Sequence, residues 1–413
     1  MREMKDSGIE WVGAIPQDWQ LSKIGSLYTQ RNEKVSDKDY QPLSVTMQGI
    51  LPQLATAAKT DDGDNRKLVR VGDFAINSRS DRRGSCGISP LDGSVSLINI
   101  ILTPRTAMHL GYYSWLFHTT LFADEFYKWG HGIVADLWTT RWQEMKSITV
   151  PVPEYAEQER IAAFLDAECA EIDTVLEKTR ASIEEYKKLK QAVITQAVTK
   201  GIRGDRPMKD SGIEWIGDIP AEWGVVPHKR IMHKVKEICE QYNGEDIISL
   251  TVNGVVKRDL TAGGKMPTSF DGYQYVEPND LLLCLFDIDV TPRCVGVVRD
   301  YGVTSPAYSR FVMYDGYYNA YYDYLLRMID DNKVFVHLSK NLRSSLTESD
   351  FGAIKTCAPP LAEQKCIAAF LDVRCDEIDA LIAKKQQYLT EIENYKKSLI
   401  YEYVTGKKEV HPL

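Results

Sequence analysis

Residues 156–199, AEQERIAAFLDAECAEIDTVLEKTRASIEEYKKLKQAVITQAVT, limit the possible folds of this 413-residue chain more than any other stretch. Apolar side chains recur in steps of three and four at Ile161, Phe164, Leu165, Cys169, Ile172, Val175, Leu176, Ile183, Tyr186, Leu189, Val193 and Ala197. That is the spacing of one face of an α-helix. No Gly or Pro interrupts the run, and Pro151 and Pro153 stand just before it, where a proline ring breaks no helical hydrogen bond. Some 44 residues at about 1.5 Å each predict a rod of roughly 65 Å. An exposed apolar stripe of that length would aggregate, so the rod requires a partner along most of its length.

The same chain supplies one. Residues 362–405 open with AEQKCIAAFLDVRCDEID against AEQERIAAFLDAECAEID at 156, an offset of 206 (362 against 156) that continues without a gap. The second stripe is Ile367, Phe370, Leu371, Cys375, Ile378, Leu381, Ile382, Leu389, Ile392, Tyr395, Leu399 and Tyr403. Two equal helices of one period predict an antiparallel coiled coil. Its interface is expected at Leu165, Ile172, Leu176, Ile183, Tyr186 and Val193 against Leu371, Ile378, Ile382, Leu389, Ile392 and Leu399. The alternative packs each helix on its own domain; the length of the helices argues against it.

A second repeat precedes each helix. MKDSGIEWVGAIPQDW at residues 4–19 returns as MKDSGIEWIGDIPAEW at 208–223, an offset of 204 (208 against 4). The chain therefore reads as a tandem duplication: leading segment, globular domain, long helix, twice over. KGIRGDRP at residues 200–207 is the linker, its glycines and proline ending the first helix. Because the second leading segment follows the end of the first helix, the first is expected beside the end of the second helix, giving an approximate two-fold axis. Trp11, Trp19, Trp215 and Trp223 are expected to anchor these segments by packing. The boundaries are 1–155 for the first segment and domain, 156–200 for the first helix, 201–361 for linker, segment and second domain, 362–406 for the second helix and 407–413 for the tail.

The globular parts, about 20–150 and 224–357, share a thin scaffold. LSVTMQGI at Leu43 matches ISLTVNGV at Ile248, VRVGDFAI at Val69 matches VEPNDLLL at Val276, and GSVS at Gly93 matches GVTS at Gly302. Leu137, Trp142 and Met145 match Leu346, Phe351 and Ile354. Short β-branched and aromatic runs between Gly, Asp and Asn predict strands and turns, with helices at 112–128 and 317–330. Each domain is thus expected to be α+β with its own core.

Composition excludes little. The net charge of −8 disfavours a nucleic-acid binder as a whole-chain figure but leaves local basic patches open. No run approaches the ~18 apolar residues of a membrane span, and the N-terminus lacks an apolar signal region. The eight cysteines form no CxxC pair; Cys169 and Cys375, at matching positions of the two stripes, read as small core residues in a reducing cytoplasm.

Catalytic signatures are missing. AGGKMP around Lys265 lacks the upstream Gly and the Ser/Thr of a phosphate-binding loop. No GxGxxG follows a predicted strand, no HExxH occurs, and His228, His233 and Cys239 are too loosely spaced for a metal site. The residues point to binding. NSRSDRRGSCG, 77–87, gathers Asn77, Arg79, Ser80, Arg82 and Arg83, with forks that fit guanine or phosphate and polar groups that fit base edges or backbone; a solvated basic turn is the alternative. Arg31 and His131 mark two further polar clusters. In the second domain Lys257, Arg258 and Arg293, and Lys340, Asn341 and Arg343 in SKNLRSS, supply positive charge. Arg82 and Arg83 fit phosphate clamps equally well.

MKDSGIEWxGxIPxxW, the PxPxxAEQxxIAAFLDxxxxxID helix start and the two-fold repeat resemble the specificity subunit of type I restriction-modification systems, across the whole chain and in four motif copies. The resemblance implies two target-recognition domains, each reading one half of a split site in double-stranded DNA. It also implies an antiparallel coiled coil that sets the spacer and docks two modification (methyltransferase) subunits. S-adenosylmethionine would then lie on those subunits, ATP on the restriction (nuclease) subunits, and neither cofactor on this non-catalytic chain. One departure is the short tail, 406–413, which leaves little to cover the first leading segment. The competing class is a coiled-coil scaffold that binds proteins and not DNA.

Overall fold

The computed structural model describes residues 2–53, 63–132, 138–260, 267, 269–291, 293–339 and 344–410. It divides into two units, Met1–Arg180 with Gln386–Leu413, and Ala181–Lys385. Each unit therefore combines one globular domain with one half of each long helix.

The long helices span Tyr155–Lys200 and Leu361–Val404. Gly201 (φ +76°) and Gly406 (φ +71°) follow their ends in the left-handed region, where glycine carries no Cβ penalty and closes a helix. The second helix stops at Val404, two residues short of the predicted end. Within each unit the two helical halves run antiparallel. In the first, the Phe164 and Tyr403 rings lie 4.4 Å apart, Asp173 pairs with Lys396 at 2.6 Å and Arg180 with Glu393 at 2.6 Å. In the second, Lys190 pairs with Asp379 at 2.5 Å and Lys385 lies over Tyr186 at 5.6 Å. One number falls as the other rises.

The buried seam is narrower than the sequence stripe. Leu176, Ile183 and Ile378 are buried, and Ile172, Tyr186, Val193, Ile382, Leu389 and Ile392 are half-buried. Leu165, Leu371 and Leu399 are buried as well, but within the cores of the globular domains. Val175, Leu189, Leu381 and Tyr395 are exposed, since a single facing helix covers little more than one narrow seam.

The two domains repeat one strand scheme. In the first, an antiparallel sheet runs in the order Cys86–Ile88, Phe74–Asn77, Asn99–Pro104, Tyr28–Arg31; in the second the order is Val295–Val297, Leu281–Leu283, Ser309–Met313, Met232–Val235. A hairpin, Leu43–Thr46 with Gly49–Pro52, recurs as Ile248–Thr251 with Gly254–Lys257. Gly93 and Gly302 open the equivalent strands Gly93–Val95 and Gly302–Thr304. A Cβ at either would come within 2.5 Å of Gln41 O or 2.3 Å of Asp246 O, which is why glycine stands at this close backbone approach in both copies.

The first domain's predicted helix over 112–128 is two helices, Leu110–Phe117 and Thr120–Lys128. Thr119 Oγ1 accepts from Phe122 N at 3.2 Å and donates to Leu116 O at 2.8 Å. This N-cap begins a new helix in place of continuing the old one. In the second domain the helix is Asn319–Asp331.

The repeated motifs hold each leading segment to a helix start. Trp19 Nε1 donates to Glu157 Oε2 at 2.9 Å, and Trp223 Nε1 donates to Glu363 Oε2 at 2.9 Å. Arg2 donates to Glu157 and Asp18. Arg206 does the same with Glu363 at 2.6 Å and Glu222 at 3.0 Å. Gln158 accepts from His109 N, and Gln364 from Tyr318 N, tying each helix start to its domain. At the opposite ends, Tyr112 OH donates to Val404 O and Tyr321 OH to Val198 O, both at 2.8 Å. The first leading segment does lie beside the end of the second helix: Tyr401 OH and Lys407 Nζ donate to Val12 O at 3.0 and 2.6 Å. The short tail therefore covers that segment, contrary to expectation, because Gly406 packs directly on Pro16 and Trp19 and Lys407 reaches past them.

Candidate nucleic-acid interface

In the first domain the loop at 78–85 joins two sheet strands, and its base is tightly fixed. Asn77, itself buried, accepts from Arg79 N through Oδ1 at 3.0 Å. Tyr127 OH donates to Asn77 O at 2.8 Å, and Asn77 N donates to Ser85 O at 2.9 Å. A 3-10 turn, Ser80–Arg82, carries the chain outward, and Gly84 (φ +77°) returns it. Ser80 N donates to Trp138 O at 2.9 Å. The loop and the Leu43–Pro52 hairpin enclose an open cleft of about 700 Å³, lined by Thr46, Met47, Asn77, Arg79, Arg82 and Arg83 among others. Four of the predicted candidates thus share one concave surface.

The arginines of this region differ in what occupies them. Arg31 is committed to the fold: its Nε meets Asp73 Oδ2 at 2.7 Å, and Asp73 is buried. The hydrogen bond to Asp73 raises the Arg31 pKa. Arg83 pairs with Asp124 and lies 5.9 Å from the Tyr127 ring centroid. Arg82 is exposed, its nearest carboxylate the adjacent Asp81 at 3.9 Å. Arg79 is half-buried with no ion pair among the described residues. His131 is exposed and exchanges backbone hydrogen bonds with Thr139, which also bridges to Arg79.

The second-domain candidates are scattered by comparison. Lys257 ends the hairpin and pairs with Asp246 at 2.8 Å and Asp300 at 3.7 Å; the hydrogen bond to Asp246 raises its pKa. Arg258 follows it, exposed. Arg293 lies under the hairpin turn at Gly254, its Nε donating to Val295 O at 2.7 Å and its Nη2 3.9 Å from Asp323. Burial lowers the Arg293 pKa and raises that of Asp323. Lys340, Asn341 and Arg343 lie outside the described residues.

Two features escaped the sequence reading. Arg299 and Arg327 join Arg293 in a cleft of about 740 Å³ in the second unit. The stretch from Cys284 to Cys294, between Leu281–Leu283 and Val295–Val297, is the counterpart of the 78–85 loop, yet it presents Phe286 and Val290 to solvent. Extending the VRVGDFAI/VEPNDLLL match by ten residues would have aligned the two loops. No group of three or more His, Cys, Asp or Glu among the described residues could hold a metal ion, and no described helix is long and apolar enough to cross a membrane.

No protein-family model matches the chain. It is 23% identical to the type I restriction enzyme MjaVIII specificity subunit of Methanocaldococcus jannaschii, over 97% of this chain and 95% of that one. A second chain of that organism, provisionally named the MjaX specificity subunit, is 22% identical over 97% and 96%. Among solved structures, a chain from work on assembly and conformational transition of the type I R-M system superposes with a TM-score of 0.74 at 13% identity, covering 95% of this chain and 99% of the other. The HsdS subunit from Thermoanaerobacter tengcongensis gives 0.50 at 16% identity, covering 95% and 98%. The resemblance read from the motifs therefore extends over nearly the whole chain, in sequence and in fold.

Proposed function

We propose that this homologue of type I restriction enzyme specificity subunits is itself the DNA-sequence-reading, non-catalytic subunit of such a system. The observation that carries the reading is a duplicated scaffold with unlike loops. The strand order of the four-stranded sheet repeats, and the leading-segment anchors and helix starts recur at matching positions. The loops at equivalent sheet positions differ: Arg79, Arg82 and Arg83 in one, Phe286, Asp287 and Val290 in the other. Each domain takes one half of a split site, and because the loops differ the halves differ in sequence. Phosphate contacts supply affinity and a few loop side chains supply the choice of sequence.

The paired long helices set the unread spacer and dock two modification subunits; restriction subunits complete the assembly in the cytoplasm. Methyl transfer from S-adenosylmethionine and ATP-driven nuclease chemistry belong to those partners. Reaching an adenine inside a duplex requires extruding it into the methyltransferase pocket, and this chain places that pocket over the right base.

The test is co-expression with a type I modification (methyltransferase) subunit from the same organism, followed by sequencing of methylated adenines. One asymmetric split motif with a fixed spacer is expected, and exchanging residues 20–150 should change one half only. Methylation that persists unchanged without this chain would refute the reading and favour a protein-binding scaffold. A symmetric motif would refute the assignment of different halves to the two domains.

A further inference from the structure

We infer that the half-site taken by the first domain contains a guanine read by Arg82, with Arg79 holding a neighbouring phosphate. The inference rests on the specificity-subunit reading and names the ligand of its first cleft. Among the described residues, most cations around that cleft are already engaged. Arg66 donates to Ser94 Oγ at 2.8 Å and Ser94 O at 2.9 Å, Arg31 is held by Asp73, and Arg83 by Asp124. Arg79 and Arg82 remain, and their settings differ.

Arg82 ends the outward 3-10 turn with its side chain 69% exposed. Beside it, Met47 at the hairpin tip is 71% exposed, its Cε 4.0 Å from where a Cβ of Gly84 would stand. The loop and hairpin tips thus adjoin and project together. A projecting element is what enters a major groove, and the planar fork of Arg matches the two acceptors, O6 and N7, that guanine alone presents there. Met47 adds an apolar contact next to it. The weak contact to Asp81 at 3.9 Å leaves the guanidinium available.

Arg79 is set back. Its backbone is fixed by Asn77 Oδ1 and by the bridge to Thr139, and it lines both the main cleft and an adjoining one of about 260 Å³. A half-buried guanidinium without a carboxylate partner is costly unless something brings acceptors to it. Phosphates form the convex ridge of a duplex, and a recessed cation receives one. Among the described residues of the second domain, Val252 and Val290 are exposed at the equivalent tips, and Arg293 is tucked beneath the hairpin.

The experiment uses the full chain with its methyltransferase partners, reading the methylated motif and, separately, duplex binding against salt. Arg82→Ala should relax one guanine in the first half by roughly ten- to a hundred-fold, and Arg82→Lys should not restore it, because a point charge lacks the fork. The other bases of the first half, still read, report that the first domain folds; the loop itself is held through Arg82 O and Asn77, not the Arg82 side chain. Arg79→Ala should weaken binding to all duplexes and lower the salt slope by about one, with Arg79→Lys restoring most of it. A first half without guanine, or guanine preference intact in Arg82→Ala, would overturn the assignment while leaving the specificity reading standing. Absence of any motif in the wild-type complex would overturn both.

Discussion

Glu363 offers a sharp test of what the repeated motifs are for. Its carboxylate is 6% exposed and accepts from Trp223 Nε1 at 2.9 Å and from Arg206, whose side chain is 10% exposed, at 2.6 Å. Glu363→Ala leaves a buried indole N–H and a buried cation short of an acceptor. Breaking a buried pair from one side costs about 3–5 kcal/mol. Arg206 keeps Glu222 at 3.0 Å and Lys200 O at 2.8 Å, so the loss belongs near the lower end, at about 3 kcal/mol. The unit concerned is Ala181–Lys385, and in a body of that size 1 kcal/mol moves the midpoint by about 2–4 °C, predicting a fall of roughly 6–12 °C. Scanning calorimetry of the full chain would read it. Glu157→Ala should cost somewhat less, because Glu157 and Arg2 are 13% and 19% exposed. Glu222→Ala, at a carboxylate 48% exposed, should cost under about 1 kcal/mol. If Glu222→Ala proved as damaging as Glu363→Ala, or Glu363→Ala moved the midpoint by less than about 2 °C, the anchoring role would be wrong.

Three other expectations can be checked alongside it. His228 is fully buried, and burial lowers its pKa from 6.5 to about 4. The unfolded chain therefore binds a proton that the folded one refuses, so stability is complete above about pH 6.5 and falls towards pH 4 by up to about 3 kcal/mol; urea unfolding across that range should show the slope, and His228→Gln should flatten it. Tyr112→Phe and Tyr321→Phe each remove one hydrogen bond to a helix end and should cost about 1 kcal/mol apiece, additively in the double variant. Arg31→Ala, which leaves the buried Asp73 only the neutral donors Arg70 N at 2.9 Å and Thr103 Oγ1 at 2.8 Å, should lower stability by about 1–2 kcal/mol without altering the methylated sequence, whereas a changed motif would return Arg31 to the DNA surface.

The duplication, the two long helices and their opposed pairing were legible in the sequence. A 3.6-residue period sustained without Gly or Pro admits few alternatives, and matching offsets need no coordinates. So was the role of Gly201 in ending a helix. The sequence did not reveal why AEQ repeats. Glu157 and Gln158 read as ordinary solvated helix residues until the fold brings Trp19, Arg2 and His109 to them, since hydrogen bonds between residues 49 to 155 positions apart leave no local pattern. The width of the seam was equally hidden: Leu189 and Val175 lie on the apolar stripe, but only the facing helix determines that they stay exposed. At the candidate interface, composition marked Arg31, Arg79, Arg82 and Arg83 alike as cations. Tertiary structure separated them, because the carboxylates that occupy Arg31 and Arg83 come from Asp73 and Asp124, each more than forty positions away in the chain. Charge can be read from residue type, but availability depends on which partner the fold delivers.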